Sequence, residues 1–446
     1  ELQNRHPEVE AIATLADRAS EELTELHNKW ASISKNKRMS YGLNIADHMH
    51  PAFLRQHSSH LRTIIPDLSM HDAYFTPSGP RPTLDSGNGE PLSTSSDQQK
   101  LEEAAKFFEQ LYVYEEPIAE ALLEMTELLK ETQLRSVSKC EGPIREDETI
   151  DQIRKAKSAK ATGSDPLPIE YFKSHAHEIV PFLTRYYNDI HEQGFLPEKF
   201  RDGIIALIFK KGDKTYLGNY RPITLLNVIH KIMTGILATR LSSIMCEISD
   251  MDNSASAPGR YISDNAMLLQ LLQNFLDHEE LEGFVVFYDW TKCFDLIAWK
   301  YIHAAMEALG FGPDMIGWVH TLYNLDHPAK RAVAVNGLTS LPFFIRRSIA
   351  QGDSISSILQ VIVFEALSRA LDKAPYEGID IPTVGNQAMR ADGGEATVDE
   401  TATSYTVKKQ QFADDTAALM KDISQFPIAT AAMDRFALAS TSRRNE

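Results

Sequence analysis

The segment Phe412-Ala413-Asp414-Asp415 sets two carboxylates side by side between the apolar flanks Tyr405-Thr406-Val407 and Ala417-Ala418-Leu419-Met420. This pattern predicts a tight β-hairpin with acids at its tip. Adjacent aspartates repel and raise each other's proton affinity, so a fold that presents both together calls for a cation. Upstream, Gly283-Phe284-Val285-Val286-Phe287-Tyr288 is an apolar run of strand type that ends on Asp289. If that strand and the hairpin are neighbours in one sheet, Asp289, Asp414 and Asp415 converge. An all-oxygen set with room for retained waters suits octahedral Mg2+. Two such ions about 3.5 to 4 Å apart activate an attacking hydroxyl and stabilise a leaving pyrophosphate in phosphoryl transfer. An Asp-Asp pair alone is more often a solvated turn. The strand-terminal acid, the distant pair and the glycine-containing segment between them make the combination specific.

The chain that must position these acids has 446 residues, enough for two or more domains. Its longest apolar runs, such as Ile358-Leu359-Gln360-Val361-Ile362-Val363-Phe364, fall well short of the roughly 18 residues that span a bilayer. It begins at Glu1 with no basic-then-apolar leader and reads as a fragment. Cys140, Cys246 and Cys293 are odd in number and far apart, which argues against a disulfide framework or a zinc site. The His-x-His pairs His48/His50 and His175/His177 lack a third ligand at metal spacing. A formal charge of -17 opposes long-range attraction to nucleic acid. Between Lys199 and Arg221, however, Lys199, Arg201, Lys210, Lys211, Lys214 and Arg221 outweigh Asp202 and Asp213, a local excess that suits phosphate.

Along the chain, residues 1–75 mix helical stretches with polar breaks. Residues 76–99 are rich in Pro, Gly and Ser and read as a linker, with order resuming at Asp97. Leu101 to Leu129 carries apolar residues at helical spacing, which predicts one or two amphipathic helices. A further helix opens at Asp147-Glu148-Thr149 and ends near Lys160 to Pro166, where Gly and Pro stop it. Ile204 to Phe209 reads as a strand running into the basic turn Lys210-Lys211-Gly212-Asp213, and Arg221-Pro222-Ile223 precedes a long helical pattern from Asn227 to Met245. Gly378 to Ile381 and Tyr405 to Val407 are strand-like pieces separated by a loop rich in glycine and acids.

The order of motifs resembles the reverse transcriptase domain of non-LTR (LINE-type) retrotransposons over roughly residues 141 to 435. Lys160-Ala161-Thr162-Gly163-Ser164-Asp165 is similar to the family's Lys-Ala-Pro-Gly-Pro-Asp, and Gly194-Phe195-Leu196-Pro197 to its Gly-x-x-Pro. Tyr220 to Asn227 resembles its fingers motif, and Pro258-Gly259-Arg260-Tyr261-Ile262-Ser263-Asp264-Asn265 its Pro-Gly-Arg-x-Ile-x-Asp-Asn. Asp289 to Asp295, Gln351-Gly352-Asp353 and Phe412 to Asp415 match its three catalytic motifs in order.

The resemblance implies an α+β fold: a right-hand polymerase palm, an antiparallel sheet with helices, together with fingers. In this division residues 1–75 are a helical N-terminal region, 76–99 a flexible linker, 100–140 a helical pre-fingers segment, 141–275 the fingers and 276–446 the palm, truncated so that the thumb is absent. It implies RNA-directed DNA synthesis with two Mg2+ ions, Mn2+ being a substitute, on an RNA template with a DNA primer and deoxynucleotides, no membrane partner, and nuclear work after cytoplasmic assembly. Carried over residue by residue, Asp289, Asp414 and Asp415 are the catalytic metal ligands, with the Trp290 carbonyl as an added one. Phe294 is the aromatic that excludes ribonucleotides. Gln351 contacts the incoming nucleotide and Gly352 lets the backbone approach it. Lys210, Lys211 and Arg221 hold triphosphate or template backbone, and Arg260 is a template contact or a structural ion pair. Lys292 and Asp295 are expected to pair with each other. Ala350 stands where the family has arginine, and Ile355 and Ser357 replace its prolines. These departures leave open an alternative, a catalytically silent descendant that only binds nucleic acid or protein.

Overall fold

The computed structural model describes residues 96–132, 134–165, 167–382 and 404–445. The predicted N-terminal helical region, most of the linker and the acid-rich loop lie outside these residues.

The first helix begins where the linker composition ends. The Ser96 hydroxyl accepts from the Gln99 backbone N–H while the Gln99 side chain accepts from the Ser96 N–H, a reciprocal cap that opens α1 (Asp97–Leu111). Leu101, Ala104, Phe107, Phe108 and Leu111 form its buried stripe. The expected pair of amphipathic helices is completed by α2 (Ala119–Leu129). The next helices are α3 (Glu146–Lys155), α4 (Ile169–Ser174), α5 (Ala176–Gln193) and the single turn α6 (Glu198–Arg201). Helix α3 stops at Lys155, some way before the Gly and Pro residues that were expected to end it. Gly194, at φ 73°, closes α5 in the left-handed conformation that glycine adopts without strain.

Strand β1 (Gly203–Phe209) alternates buried and less buried residues and pairs along its whole length with antiparallel β2 (Tyr220–Leu226). Arg221-Pro222-Ile223 therefore belongs to a strand. Asn227 caps α7 (Val228–Ser242), and a second short helix α8 (Met245–Ile248) takes the end of the predicted helical run. After α9 (Ile262–Glu279) come β3 (Phe284–Tyr288), β4 (Trp290–Thr291), α10 (Trp299–Ala308) and α11 (Pro313–Leu322). Strand β5 (Lys330–Val335) runs parallel to β1 and carries β6 (Leu338–Thr339) and β7 (Phe343–Phe344). This five-stranded sheet thus draws on both sides of residue 275.

Helix α12 (Ser356–Lys373) is buried on nearly every face, which places it at the centre of the core. It packs against α2, α10 and α13 (Phe426–Ser440). Strands β8 (Ile379–Pro382) and β9 (Ser404–Val407) form their own antiparallel pair. The acid hairpin is built from β10 (Lys409–Phe412) and β11 (Asp415–Met420), and β3 joins β11 antiparallel to give the order β10-β11-β3. Tyr405 to Val407, read from sequence as the first hairpin arm, pairs with β8 instead. The actual arm is polar yet buried: Lys409 and Gln411 are fully enclosed and Gln410 nearly so. Strand β12 (Arg443–Arg444) pairs with β4 and closes the described chain over the loop that follows Asp289. The chain is a mixed helix and sheet fold. No helix among the described residues is long and apolar enough to cross a membrane.

Candidate active site

The three predicted acids reach one end of the β10-β11-β3 sheet. Tyr288 pairs with Thr416, so Asp289 follows the last rung of that ladder beside Asp415, and the Phe412/Asp415 pair closes the hairpin through Ala413 and Asp414. Ala413 is held at φ 57°, a conformation that costs a non-glycine residue about 1 kcal/mol or more and turns the following carboxylates outward. Burial, followed by the charges of Asp414 and Asp289, raises the proton affinity of Asp415, and Lys210 opposes the shift. That shift is the electrostatic mark of three acids sharing a small region.

Each acid has its own neighbours. Asp289 accepts from the Asn445 side chain at 2.6 Å, while the Asn445 backbone N–H donates to the Asp289 carbonyl at 2.9 Å. Asp414 accepts from the Cys293 thiol at 3.0 Å on one oxygen and from the Gln360 carboxamide at 3.1 Å on the other. Gln360 also reaches the Cys293 sulfur at 3.2 Å. Burial, reinforced by the Asp414 charge, pushes the Cys293 thiol well up, so it acts as a neutral donor.

The loop after Asp289 is braced from several directions. Lys292 takes a left-handed turn at φ 44° and receives the Asp295 backbone N–H at 2.8 Å. Its ammonium donates to the Tyr220 carbonyl at 3.2 Å and lies 5.9 Å from the rings of Phe107 and Phe108. The hydrogen-bond partner of Asp295 is Tyr112, just past α1, whose hydroxyl donates at 2.8 Å, with the Gln351 carboxamide at 3.3 Å on the other oxygen. The expected Lys292–Asp295 pair is replaced by these contacts and survives only as an attraction between charges. Burial pushes Asp295 up to about 6. Trp290 packs its indole edge-on against Phe364 and Phe436 and pairs along the backbone with Arg444. Phe294 is half-buried, its carbonyl fixed by the Ile349 N–H at 2.7 Å.

Gly352 makes a close contact within the chain. At φ 108°, a Cβ here would lie 2.8 Å from the Thr224 carbonyl, and the neighbouring Gln351 carbonyl accepts from the Thr224 N–H at 2.7 Å. The close approach is therefore between this turn and β2. Asp353 is buried against α7; although burial pushes it up, the His230 imidazole at 3.0 Å and the Thr234 hydroxyl hold it below its ordinary range. Arg260 donates to the backbone carbonyls of Ser249, Asp250 and Asn253, so its guanidinium staples that loop, and the template contact is not what its geometry favours. Lys210, Lys211 and Arg221 are exposed on the basic turn and on β2, and Lys210 is the cation whose charge reaches both Asp415 and Lys292.

Among the described residues, the acids whose oxygens lie within 4.8 Å of one another are Asp250, Asp252 and Asp372. The predicted trio does not form that tight set; Asp289 accepts from Asn445, and Asp414 from Cys293 and Gln360. The Asp250 cluster is filled by the fully buried ammonium of Lys409, at 3.0, 3.3 and 2.6 Å from the three acids. It anchors β10 at the end of the strand away from the hairpin tip. Sequence reasoning missed Tyr112, Cys293, Gln360, Lys409 and Asn445. Gln360 carried a usable signal, as a polar residue within an otherwise apolar run.

The profile of the family described as reverse transcriptase (RNA-dependent DNA polymerase) matches residues 208–444, more than half of the chain. The transposon TX1 uncharacterized 149 kDa protein of Xenopus laevis is 29% identical over 279 residues, which is 62% of this chain and 21% of that protein. A probable RNA-directed DNA polymerase from transposon BS of Drosophila melanogaster is 25% identical over 222 residues, 49% of this chain and 24% of the other. The Pol polyprotein of the type-2 retrotransposable element R2DM of the same species is 25% identical over 245 residues, 53% and 23%. The chain spans less than a quarter of the length of each of these relatives. With the motifs in order and the acids of the first and third on adjacent strands, the chain belongs to the reverse transcriptase family, in the branch carried by non-LTR, LINE-type retrotransposons.

Proposed function

We propose that this chain carries the nucleotidyl-transfer centre of a retrotransposon RNA-directed DNA polymerase. In this reading β3, β10 and β11 form the palm, and the β1–β2 ribbon with its basic turn forms the fingers. The observation that carries the proposal is the antiparallel register of β3 and β11, which brings Asp289 to the acid hairpin across more than a hundred residues of chain. The donor set fits a hard divalent cation, since it consists of carboxylates whose mutual repulsion already shows in Asp415. Asp289, Asp414 and Asp415 would hold two Mg2+ ions, with the Trp290 carbonyl as an added ligand. When bound, the ions would lower the proton affinity of the primer 3′-hydroxyl and neutralise charge on the leaving pyrophosphate.

The protein's own residues supply orientation. Lys210 and Lys211 on the basic turn, with Arg221 on β2, attract the triphosphate or the template backbone. Phe294 crowds the sugar of the incoming nucleotide. Gln351, held by Asp295 and through it by Tyr112, faces the base-pairing nucleotide from the α12 side, and Gly352 allows that turn to seat on β2. Catalysis by such a site is mostly positioning and charge neutralisation. The substrates are deoxynucleotides, a DNA primer and an RNA template.

The test is primer extension on an RNA template with deoxynucleotides and Mg2+. Wild type extends and Asp414→Asn loses at least about a thousandfold. Equal extension by the two proteins would falsify the metal assignment. A second reading, a silent descendant that binds RNA without copying it, is favoured by Ala350, Ile355 and Ser357 in the turn before α12. A wild type that shifts labelled RNA yet extends no primer would establish it.

A further inference from the structure

Cys293, Gln360 and Asp414 form a closed triangle. The sulfur and the two side-chain termini lie 3.0, 3.1 and 3.2 Å apart, and each joins a different element: the loop after β3, the central helix α12 and the hairpin tip. Gln360 and Cys293 are both buried. A carboxamide within a helix that is otherwise apolar on this stretch costs free energy unless it is hydrogen-bonded, and the partners it finds are Asp414 and Cys293.

We propose that Gln360 and Cys293 are positioning residues for the polymerase centre. They occupy one lone-pair direction on each Asp414 oxygen and leave the remaining directions to a divalent cation. The inference rests on reading Asp414 as a metal ligand. Without it, Asp414 on its two-residue turn would be free to rotate about its side-chain bonds, and each rotamer frozen on binding would weaken affinity. Carboxylate ligands are commonly oriented in this way by outer partners, whose removal weakens metal affinity by about 10- to 100-fold. The triangle also links the central helix α12 to Asp414 through the Gln360 hydrogen bond.

The experiment measures Mn2+ binding to the full chain by the electron paramagnetic resonance signal of free Mn2+, without nucleic acid or nucleotide. Thermal unfolding monitored by circular dichroism establishes that each variant is folded. Wild type binds saturably, and Asp414→Asn weakens binding by at least about tenfold. Gln360→Met, which keeps the length of the side chain, weakens binding about tenfold. Cys293→Ala weakens it by several-fold, and Cys293→Ser, which retains a donor, stays within about twofold of wild type. The order of the two cysteine variants separates positioning from packing. A residue needed only to fill space tolerates alanine at least as well as a buried hydroxyl, so a purely structural role predicts Cys293→Ser to be no better than Cys293→Ala. Wild-type or tighter binding by both Gln360→Met and Cys293→Ala overturns the proposal, since the donors would then be bystanders or competitors of the cation. If one of those proteins fails to fold, the other decides. A folded wild type that binds no Mn2+ overturns the metal reading itself and this inference with it.

Discussion

Replacing Lys409 by methionine removes the cation that Asp250, Asp252 and Asp372 share and leaves three like charges within 4.8 Å of one another. Each attraction that is lost, at about 3 Å, is worth about 1.4 kcal/mol in bulk water and about 5 at an effective dielectric of 20. The acids keep 32%, 14% and 39% side-chain exposure, so solvent screens them and the lower value applies. Three lost attractions give about 4 kcal/mol, and relief from burying the ammonium returns about 1, which leaves about 3 kcal/mol, in line with the cost of breaking one partner out of a buried ion pair. The penalty must also depend on pH. Burial already pushes Asp372 up to about 6 even with Lys409 attracting it, and removing the lysine raises it further. A carboxyl whose folded value exceeds its unfolded value near 3.9 contributes stability in acid that is lost as pH rises through the folded value. The Lys409→Met penalty is therefore about 3 kcal/mol at pH 7.5 and shrinks to about 1 near pH 5. Urea unfolding followed by circular dichroism at the two pH values measures it. A penalty below about 1 kcal/mol at pH 7.5, or one equal at both pH values, would refute the view that Lys409 is the counter-ion of this cage.

The other predictions concern the loop around the acids. Asp295, raised to about 6 by burial, contributes stability that is present in acid and lost above that pH. Wild type should lose about 1 kcal/mol from this group between pH 5 and 7.5, and Asp295→Asn should show no such loss in the same urea titrations. Gly352→Ala forces a Cβ against the Thr224 carbonyl at a positive φ and should destabilise by at least about 2 kcal/mol, read as a lowered urea midpoint with an unchanged slope. Phe294→Val opens the sugar side of the nucleotide site. Its ribonucleotide-to-deoxynucleotide incorporation ratio should rise about tenfold or more in primer extension, and an unchanged ratio assigns the ring to packing.

How much of this was readable before any coordinates follows from the range of each interaction. Strand β3 and the acids at positions 289, 414 and 415 were legible because apolar runs and adjacent carboxylates are local patterns. Helices α1 and α2 were legible from their spacing, and the start of α1 from the end of the Pro-, Gly- and Ser-rich composition. The hairpin's true first arm was not, because Lys409, Gln410 and Gln411 look like a solvated stretch. Lys409 is buried only because Asp250, Asp252 and Asp372, from two other segments, neutralise it, and Asn265 meets the Gln411 backbone carbonyl. The turn at Gly352 was recognised as a close approach, but its seat against β2 was not, since nothing near it in sequence announces that strand. Asn445 and Tyr112 had no local signature at all. Each acts through a partner more than 150 residues away.

The family match starts at residue 208, but α1 and α2 do not behave as an optional preamble to it. Phe107 and Phe108 back Lys292, Tyr112 holds Asp295, and α2 lies along α12 and α13. For anyone choosing where to cut an expression clone, the motif boundary is the wrong guide. A segment begun at residue 141 would bare the apolar groove that α1 and α2 occupy and leave a buried acid without its phenol, whereas one that includes residue 96 onward keeps both.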